Sequence, residues 1–101
     1  MIVRLWHGRV PSGKALAYRA FLAERALPEY RMVPGNVSVR ILERNEGAIT
    51  HFMTLTLWAD LESVRAFAGE DLEAAKYHPE DRDFLLELEP RVTHYHVVEG
   101  S

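Results

Sequence analysis

The chain has 101 residues, 48% of them hydrophobic and 27% charged, which is the size and composition of one ordinary globular domain, residues 1–101. Its formal net charge is −3 and its basic residues are scattered, which argues against nucleic acid as a partner. Cysteine is absent, which excludes disulfides, thiolate metal sites and cysteine nucleophiles. Neither a signal peptide nor the ~20 apolar residues of a membrane span is evident, so we expect a cytoplasmic protein with no membrane partner.

The first third of the chain predicts a strand followed by a helix. Residues 2–10 alternate in polarity and end at Pro11-Ser12-Gly13, where Ser12 is the expected N-cap of a helix. The alanine-rich residues 14–25 have strong helix propensity and one apolar face. We expect Pro28 to end or bend this helix.

The middle of the chain predicts a hairpin and a second helix. Residues 37–43 alternate as a half-buried strand does, and residues 44–47, RNEG, are typical of a turn with Gly47 in a left-handed conformation. Residues 48–58 are rich in Thr, Phe, Leu and Trp and give the strongest strand signal of the chain. Asp60 then favours a helix start as an N-cap.

In the last third, the sequence predicts that the second helix ends at Gly69 and that a short helical piece follows over 70–77. After Pro79 it predicts one or two helical turns and then a strand over 91–98. The order is therefore strand, helix, strand, strand, helix, strand. This order predicts an α+β, ferredoxin-like βαββαβ fold with a four-stranded antiparallel sheet and both helices on one face.

Both faces of the predicted sheet carry large apolar side chains. In the strand at 48–58, Met53 and Leu55 alternate with Phe52. In the first strand, Leu5 alternates with Trp6 in the same way. Since one chain has enough helix to cover one face only, we expect a second copy to cover the other, as in a two-fold symmetric homodimer.

Three segments carry a resemblance to a known family: RVPSGKALAY, LTLWADLESVRAF and VTHYHVV. With the element order above, the chain resembles the antibiotic biosynthesis monooxygenase superfamily over nearly its whole length, most specifically at the junction of strand, Trp58 and acidic helix. The resemblance implies a dimeric α+β barrel with a pocket in each subunit between sheet and helices. It also implies a cofactor-independent monooxygenase that acts on a quinol or another small aromatic molecule.

Members of this superfamily that degrade heme use an Asn on the first strand, a Trp in the second helix and a His as axial ligand. By this resemblance the ligand falls on His78, whereas Phe67 stands in place of the Trp, and Trp6 or His7 stands in place of the Asn. Heme binding through His78 is therefore an alternative function. A non-catalytic dimeric module, its pocket filled by its own side chains, is the third hypothesis.

The segment KYHPEDRDF, residues 76–84, places two polar aromatic residues side by side. The candidate catalytic residues are His78, Tyr77 and His7, with Tyr77 as a hydrogen-bond donor to a quinone or phenol oxygen. The candidate pocket lining comprises Trp6, Phe21, Trp58 and Phe67. Quinol oxidation needs little more than a dry aromatic pocket with a few hydrogen bonds to the developing oxyanion. Alternatively, His78 closes the C-terminus of a helix, an interaction worth about 0.3–1 kcal/mol.

Four histidines lie on predicted strands: His7, His51, His94 and His96. The first strand of a ferredoxin-like sheet lies between the third and the fourth, so these imidazoles could converge and bind a transition metal. A shift of one residue in register would turn His7 to the other face, and no carboxylate can be assigned to orient the rings. We therefore predict no metal site.

Overall fold

Four antiparallel strands form the sheet in the computed structural model, which describes residues 1–100. They are β1 (Ile2–Pro11), β2 (Asn36–Glu46), β3 (Ile49–Trp58) and β4 (Thr93–His96). Their order in the sheet is β2-β3-β1-β4, with β1 between β3 and β4. The predicted α+β, ferredoxin-like topology is therefore confirmed, although β4 is shorter than the strand predicted over 91–98.

A long helical run follows β1 and crosses one face of the sheet. It comprises a 3-10 turn (Ser12–Lys14), α1 (Ala15–Phe21), a π-helical turn (Leu22–Ala26) and α2 (Leu27–Arg31). The prediction that the helix ends at Pro28 is wrong, because the run continues for three residues beyond it, while the alternative that Pro28 bends the helix stays a prediction. Proline lacks an N–H and its ring crowds the preceding α-helical turn, and the wider π-helical turn at this point accommodates it.

Ser12 ties the start of this run to the β2–β3 hairpin instead of capping it. Its hydroxyl donates to the carbonyl of Gly47 over 2.8 Å and lies 2.9 Å from Thr50 Oγ1, and no side chain caps the 3-10 turn or α1. Residues 44–46 also differ from the prediction, since β2 continues through Glu46. The turn is Gly47-Ala48, and Gly47 has the predicted left-handed conformation, with φ of 63°.

The second helix, α3 (Leu61–Ala68), begins as predicted. Asp60 accepts hydrogen bonds from the backbone N–H of Ser63 at 2.9 Å and from its hydroxyl at 2.7 Å, and these bonds lower the pKa of the Asp60 carboxyl. Gly69, with φ of 90°, follows the last helical residue. The N-cap signal in the sequence is therefore confirmed.

The helical piece predicted over 70–77 does not form. Residues in this stretch run as turns and extended chain, joined to residue 91 by an isolated bridge at Ala74. The Arg4 guanidinium on β1 accounts for this, because it donates to the carbonyls of Leu72 and Ala74, at 2.5 and 2.9 Å. Those carbonyls are acceptors that a helix would need for its own backbone bonds. The next helical element is a 3-10 helix (Pro79–Asp83).

The two faces of the sheet have different surroundings. Side chains at even positions of β1 and β3 point toward the helices, and most are buried: Ile2, Arg4, Trp6, Val10, Thr50, Phe52, Thr54, Thr56 and Trp58. Side chains at odd positions form what we call the open face: Val3, Leu5, His7, Ile49, His51, Met53, Leu55 and Leu57. These residues are half-buried in the single chain. Within residues 1–100, no helix is long and apolar enough to cross a membrane.

Replacing Gly35 by alanine should destabilise the protein by about 1–3 kcal/mol. Gly35 precedes β2 with φ of 91°, a conformation that alanine rarely adopts. A Cβ here would also overlap Ser63 Oγ and lie 2.5 Å from Ser63 Cβ. Urea unfolding measures the effect. Gly13→Ala is the control, because a Cβ at Gly13 meets nothing within 4 Å, and equal midpoints for the two variants would contradict this account.

Candidate active site

A pocket of about 240 Å³ opens on the helical side of the sheet. We call it the aromatic pocket; its lining residues are Ala26, Glu29, Tyr30, Phe67, Lys76, Tyr77 and His78. They come from the second half of the helical run, from α3 and from the segment that precedes the 3-10 helix. Three of the sequence-predicted site residues, Phe67, Tyr77 and His78, therefore line one pocket.

Two aromatic rings form one wall of the pocket. The ring centroids of Tyr30 and Phe67 are 4.8 Å apart, and their planes are inclined by 30°. Trp58 lies behind both rings, with its centroid 5.5 Å from that of Phe67 and 6.5 Å from that of Tyr30. Trp58 is completely buried and its indole N–H donates to Thr56 Oγ1. Trp58 therefore supports the wall and does not line the pocket.

Tyr30 reaches the pocket because the helical run continues through Pro28. The residues Tyr18, Leu22, Ala26 and Tyr30 are spaced four apart and lie on the side of the run that faces the sheet. Burial raises the pKa of the Tyr30 hydroxyl, and a hydrogen bond with Thr54 partly opposes that shift. Its phenol is therefore neutral at physiological pH and keeps its proton.

His78 forms a carboxylate–imidazole pair with Glu29. Its Nε2 lies 2.7 Å from Glu29 Oε2, and its ring packs edge-on against Phe21 at a centroid distance of 5.6 Å. The alternative that His78 closes a helix C-terminus is wrong, because α3 already ends at Ala68. His78 instead precedes the 3-10 helix, where its backbone N–H donates to Asp81 Oδ2 over 2.6 Å.

The Tyr77 hydroxyl makes two hydrogen bonds, one with Trp6 on β1 and one with the backbone of Glu89. Its hydroxyl donates to the backbone carbonyl of Glu89 over 2.5 Å and accepts the indole N–H of Trp6 over 3.1 Å. Burial raises the pKa of this phenol, so it stays protonated. Since its one proton is engaged, Tyr77 has a lone pair left to accept a bond from a ligand but no free proton to donate.

A smaller chamber of about 30 Å³ adjoins the aromatic pocket, with which it shares Tyr30, Lys76, Tyr77 and His78. Its inner walls are Trp6, Tyr18, Leu22, Thr54 and Asp81. The buried Asp81 carboxylate accepts the Tyr18 hydroxyl over 2.9 Å, and burial, followed by the charge of Asp81, raises the pKa of Tyr18. The chamber has about the volume of one water molecule in the liquid.

The sequence-predicted residue His7 lies on the open face, away from Tyr77 and His78. Its Nδ1 lies 2.6 Å from Glu89 Oε2, and its Nε2 lies 2.9 Å from His51 Nδ1. His51 Nε2 in turn lies 3.0 Å from Glu46 Oε1. Two imidazoles and two carboxylates therefore form a continuous chain of polar contacts. Glu89 joins this chain to the aromatic pocket, since its backbone carbonyl accepts the Tyr77 proton.

The strand histidines do not all converge. Residues His94 and His96 pair with Arg4 and Ile2 and therefore face the helical side, opposite to His7. The two do share one face, as their spacing predicts. Over residues 1–100, no group of three or more His, Asp or Glu side chains has a geometry that could hold a metal ion.

Stability should fall as pH is lowered through about 6.5, the ordinary pKa of histidine, partly because of His94. Its Nε2 lies 3.0 Å from Arg4 Nη1, and burial, followed by the charge of Arg4, lowers its pKa. Between the lowered pKa and 6.5, the unfolded chain binds more protons than the folded one, so acid favours unfolding. Urea unfolding at pH 7.5 and 5.5 measures this difference. It should shrink in His94→Gln but not in His96→Gln, and equal differences in both variants would contradict the assignment.

No protein-family model matches the chain, and no curated protein sequence matches it. Solved structures do match, over nearly the full length of both chains. The heme-degrader MhuD from Mycobacterium tuberculosis, with two hemes bound in its active site, shares 19% identity and a TM-score of 0.68, covering 100% of this chain and 99% of MhuD. A protein from Nitrosomonas europaea named as an antibiotic biosynthesis monooxygenase shares 16% identity and a TM-score of 0.67, with 98% and 100% covered.

A third structure, from Bacillus cereus and also named as an antibiotic biosynthesis monooxygenase, shares 11% identity and a TM-score of 0.63, with 99% of this chain and 95% of the other covered. At these identities the comparisons establish the fold. The resemblance predicted from the sequence is confirmed at the level of the fold, which the chain shares with structures named as antibiotic biosynthesis monooxygenases.

Proposed function

We propose that the chain is a cofactor-independent monooxygenase that oxidises a small quinol or phenol with dioxygen. The observation that carries this proposal is the His78–Glu29 pair at the edge of an aromatic-walled pocket. An imidazole held by a carboxylate is a well-oriented general base, because the carboxylate stabilises the imidazolium that forms on proton transfer. The similar structures named as antibiotic biosynthesis monooxygenases support the same reaction class.

The volume of the pocket favours a ligand of one or two rings. A cavity of about 150 Å³ accommodates benzene in a protein core. At about 240 Å³, the aromatic pocket therefore has room for a substituted single ring or a compact bicyclic one. The tilted rings of Tyr30 and Phe67 offer an apolar surface on which such a ring can pack.

In the proposed reaction, His78 removes the proton from a hydroxyl group of the quinol. With Nε2–H donated to Glu29, Nδ1 is the nitrogen that would accept this proton, and it lies 3.7 Å from Asp81 Oδ2. The quinol anion passes one electron to dioxygen, and the radical pair joins to form a carbon–oxygen bond. The O–O bond then breaks with loss of water, so that a benzenediol and one O₂ give a hydroxyquinone and one H₂O. The protein supplies the base, the apolar walls and the orientation of the ring.

We infer that heme, the ligand of MhuD, is not the ligand of the aromatic pocket. Heme has four pyrrole rings and needs more volume than the roughly 240 Å³ of the aromatic pocket alone, although Tyr77 and His78 also line a second pocket of about 510 Å³. Phe67 and Trp6 also stand where the resemblance expects other residues. We therefore expect a heme titration to give no Soret change that depends on His78.

We also propose that two copies of the chain associate through the open face. Leu5 and Leu55 are directly opposite each other on β1 and β3, near the centre of this face, and both are half-buried in the single chain. Helices cover only the opposite face. A self-complementary apolar sheet face of this kind is satisfied by a two-fold symmetric dimer.

Oxygen uptake with a quinol panel tests the proposed reaction. Hydroquinone and 1,4-naphthohydroquinone, in air-saturated buffer with a metal chelator, should consume oxygen faster with the protein than by autoxidation alone. With ¹⁸O₂, the hydroxyquinone product should carry one labelled oxygen atom. Uptake at the autoxidation rate for the whole panel, without binding of any member, would overturn the proposal.

A further inference from the structure

Lys76 places a positive charge at the aromatic pocket. Its ammonium donates to the backbone carbonyl of Phe67 over 2.8 Å and lies 4.9 Å from the centroid of the Phe67 ring. Within the part of the chain that the structure describes, it makes no ion pair. An ammonium has three donors, so Lys76 has donors left for a ligand.

Arg4 adds a second cation near the same wall. It is buried, with 3% of its surface exposed, and its guanidinium carbon lies 5.5 Å from the Phe67 centroid. Its protein partners are the carbonyls of Leu72 and Ala74 and the ring of His94, none of which is an anion. Burial lowers the pKa of Arg4, as expected for a cation without a counter-ion. Its charge also acts on the phenol of Tyr30, which lines the pocket.

The negative charge at the pocket is therefore separate from the positive charges: the carboxylate pairs with His78, and the two cations lie near Phe67. Glu29 is the carboxylate among the lining residues, and it is engaged by His78. The region around Phe67 has two positive charges, one buried and one at the surface, without a protein anion in contact. Buried charges in proteins are normally paired. Since these two cations have no anionic partner in the protein, a ligand could supply the anion.

We propose that the aromatic pocket binds an anionic aromatic molecule, a one- or two-ring phenol or quinol with a carboxylate or comparable acidic group that contacts Lys76. The hydroxyl group of the same ring then faces His78. This inference deepens the proposed function by naming the substrate class. It concerns binding only and therefore does not depend on whether the ligand is oxidised.

Binding of a matched pair of probes tests the inference. 2,5-Dihydroxybenzoate and its methyl ester have the same ring and hydroxyl groups and differ in charge. Calorimetry under anaerobic conditions should show that the acid binds about two- to fivefold more tightly than the ester, the effect of one partly exposed ion pair. Lys76→Met should abolish this preference without changing the affinity for the ester, and Lys76→Arg should retain it.

Lys14→Met is the matched control, because Lys14 also donates to a backbone carbonyl, that of Asp83, but lies outside the pocket. It should leave the preference unchanged. Equal affinities for acid and ester in the natural protein, an unchanged preference in Lys76→Met, or no binding of either probe would overturn the inference. A preference that depends on Lys76, with oxygen uptake at the autoxidation rate, would uphold the inference and reject the monooxygenase.

Discussion

Replacing His78 by alanine should lower kcat/KM for quinol oxidation by about a hundredfold or more. The substitution removes the imidazole that takes the hydroxyl proton, and it leaves the Glu29 carboxylate in the pocket without a partner. The apolar wall formed by Tyr30 and Phe67 is untouched, so binding of the quinol should change much less than kcat. Initial rates of oxygen uptake, together with binding measured anaerobically, separate the two effects.

His96→Ala is the matched control for this variant. His96 is exposed on β4, opposite Ile2, and does not line the aromatic pocket. Its removal should leave the rate unchanged. Glu29→Gln should lower the rate as well, but less than His78→Ala, because the base is retained and only its orientation and charge stabilisation are lost. Unchanged kcat/KM in His78→Ala would reject His78 as the base.

Leu55→Asp should convert the proposed dimer to a monomer, with a dissociation constant raised by at least about a hundredfold. Leu55 lies opposite Leu5 near the centre of the open face, so a second copy would bury the new carboxylate without a partner. In the separated chain the same carboxylate would remain in contact with water. Size-exclusion chromatography with light scattering should therefore give twice 11.6 kDa for the natural protein and 11.6 kDa for the variant.

Leu16→Asp provides the control for this substitution. Leu16 is on α1, on the helical side, and 70% of its surface is exposed, so the same change of residue falls outside the open face. This variant should remain dimeric. A natural protein with the mass of one chain at micromolar concentration would contradict the proposed dimer directly.

The positions of the strands, the hairpin and α3 follow from the sequence because the signals that specify them are local. Alternation in β1 and β3, Asp60 before α3 and Gly47 in the hairpin each act within a few residues. The stretch at 70–77 was mistaken for a helix because its composition favours one. A long-range contact decides its conformation, since Arg4 on β1 takes the carbonyls of Leu72 and Ala74.

Three of the residues proposed from the sequence, Tyr77, His78 and Phe67, lie at one pocket. Glu29 and Tyr30, which line the same pocket, were not proposed, because Pro28 was expected to end or bend the helix before them. The i, i+4 spacing from Tyr18 through Tyr30 was the signal that could have identified Tyr30. The pairing of His78 with Glu29 joins residues 49 positions apart, and no local pattern encodes it.

Three other residues proposed for the site do not line the aromatic pocket: His7, Trp58 and Phe21. His7 belongs to the open face, since the register of β1 against β3 turns it away from the helices. Trp58 and Phe21 lie behind the pocket residues, in contact with Phe67 and His78 respectively. Alternation along β1 predicts that His7 and Trp6 point to opposite faces of the sheet. It does not indicate which of these faces the helices cover, so the sequence alone does not place His7 on the open face.

The most direct test of the central claim is a crystal structure of the protein with 1,4-naphthohydroquinone, grown and soaked without oxygen. The account predicts that the ring system lies against Tyr30 and Phe67, with one hydroxyl group within hydrogen-bonding distance of His78. Binding on the open face beside His7 and His51, or an aromatic pocket that stays free of ligand at saturating concentration, would contradict it.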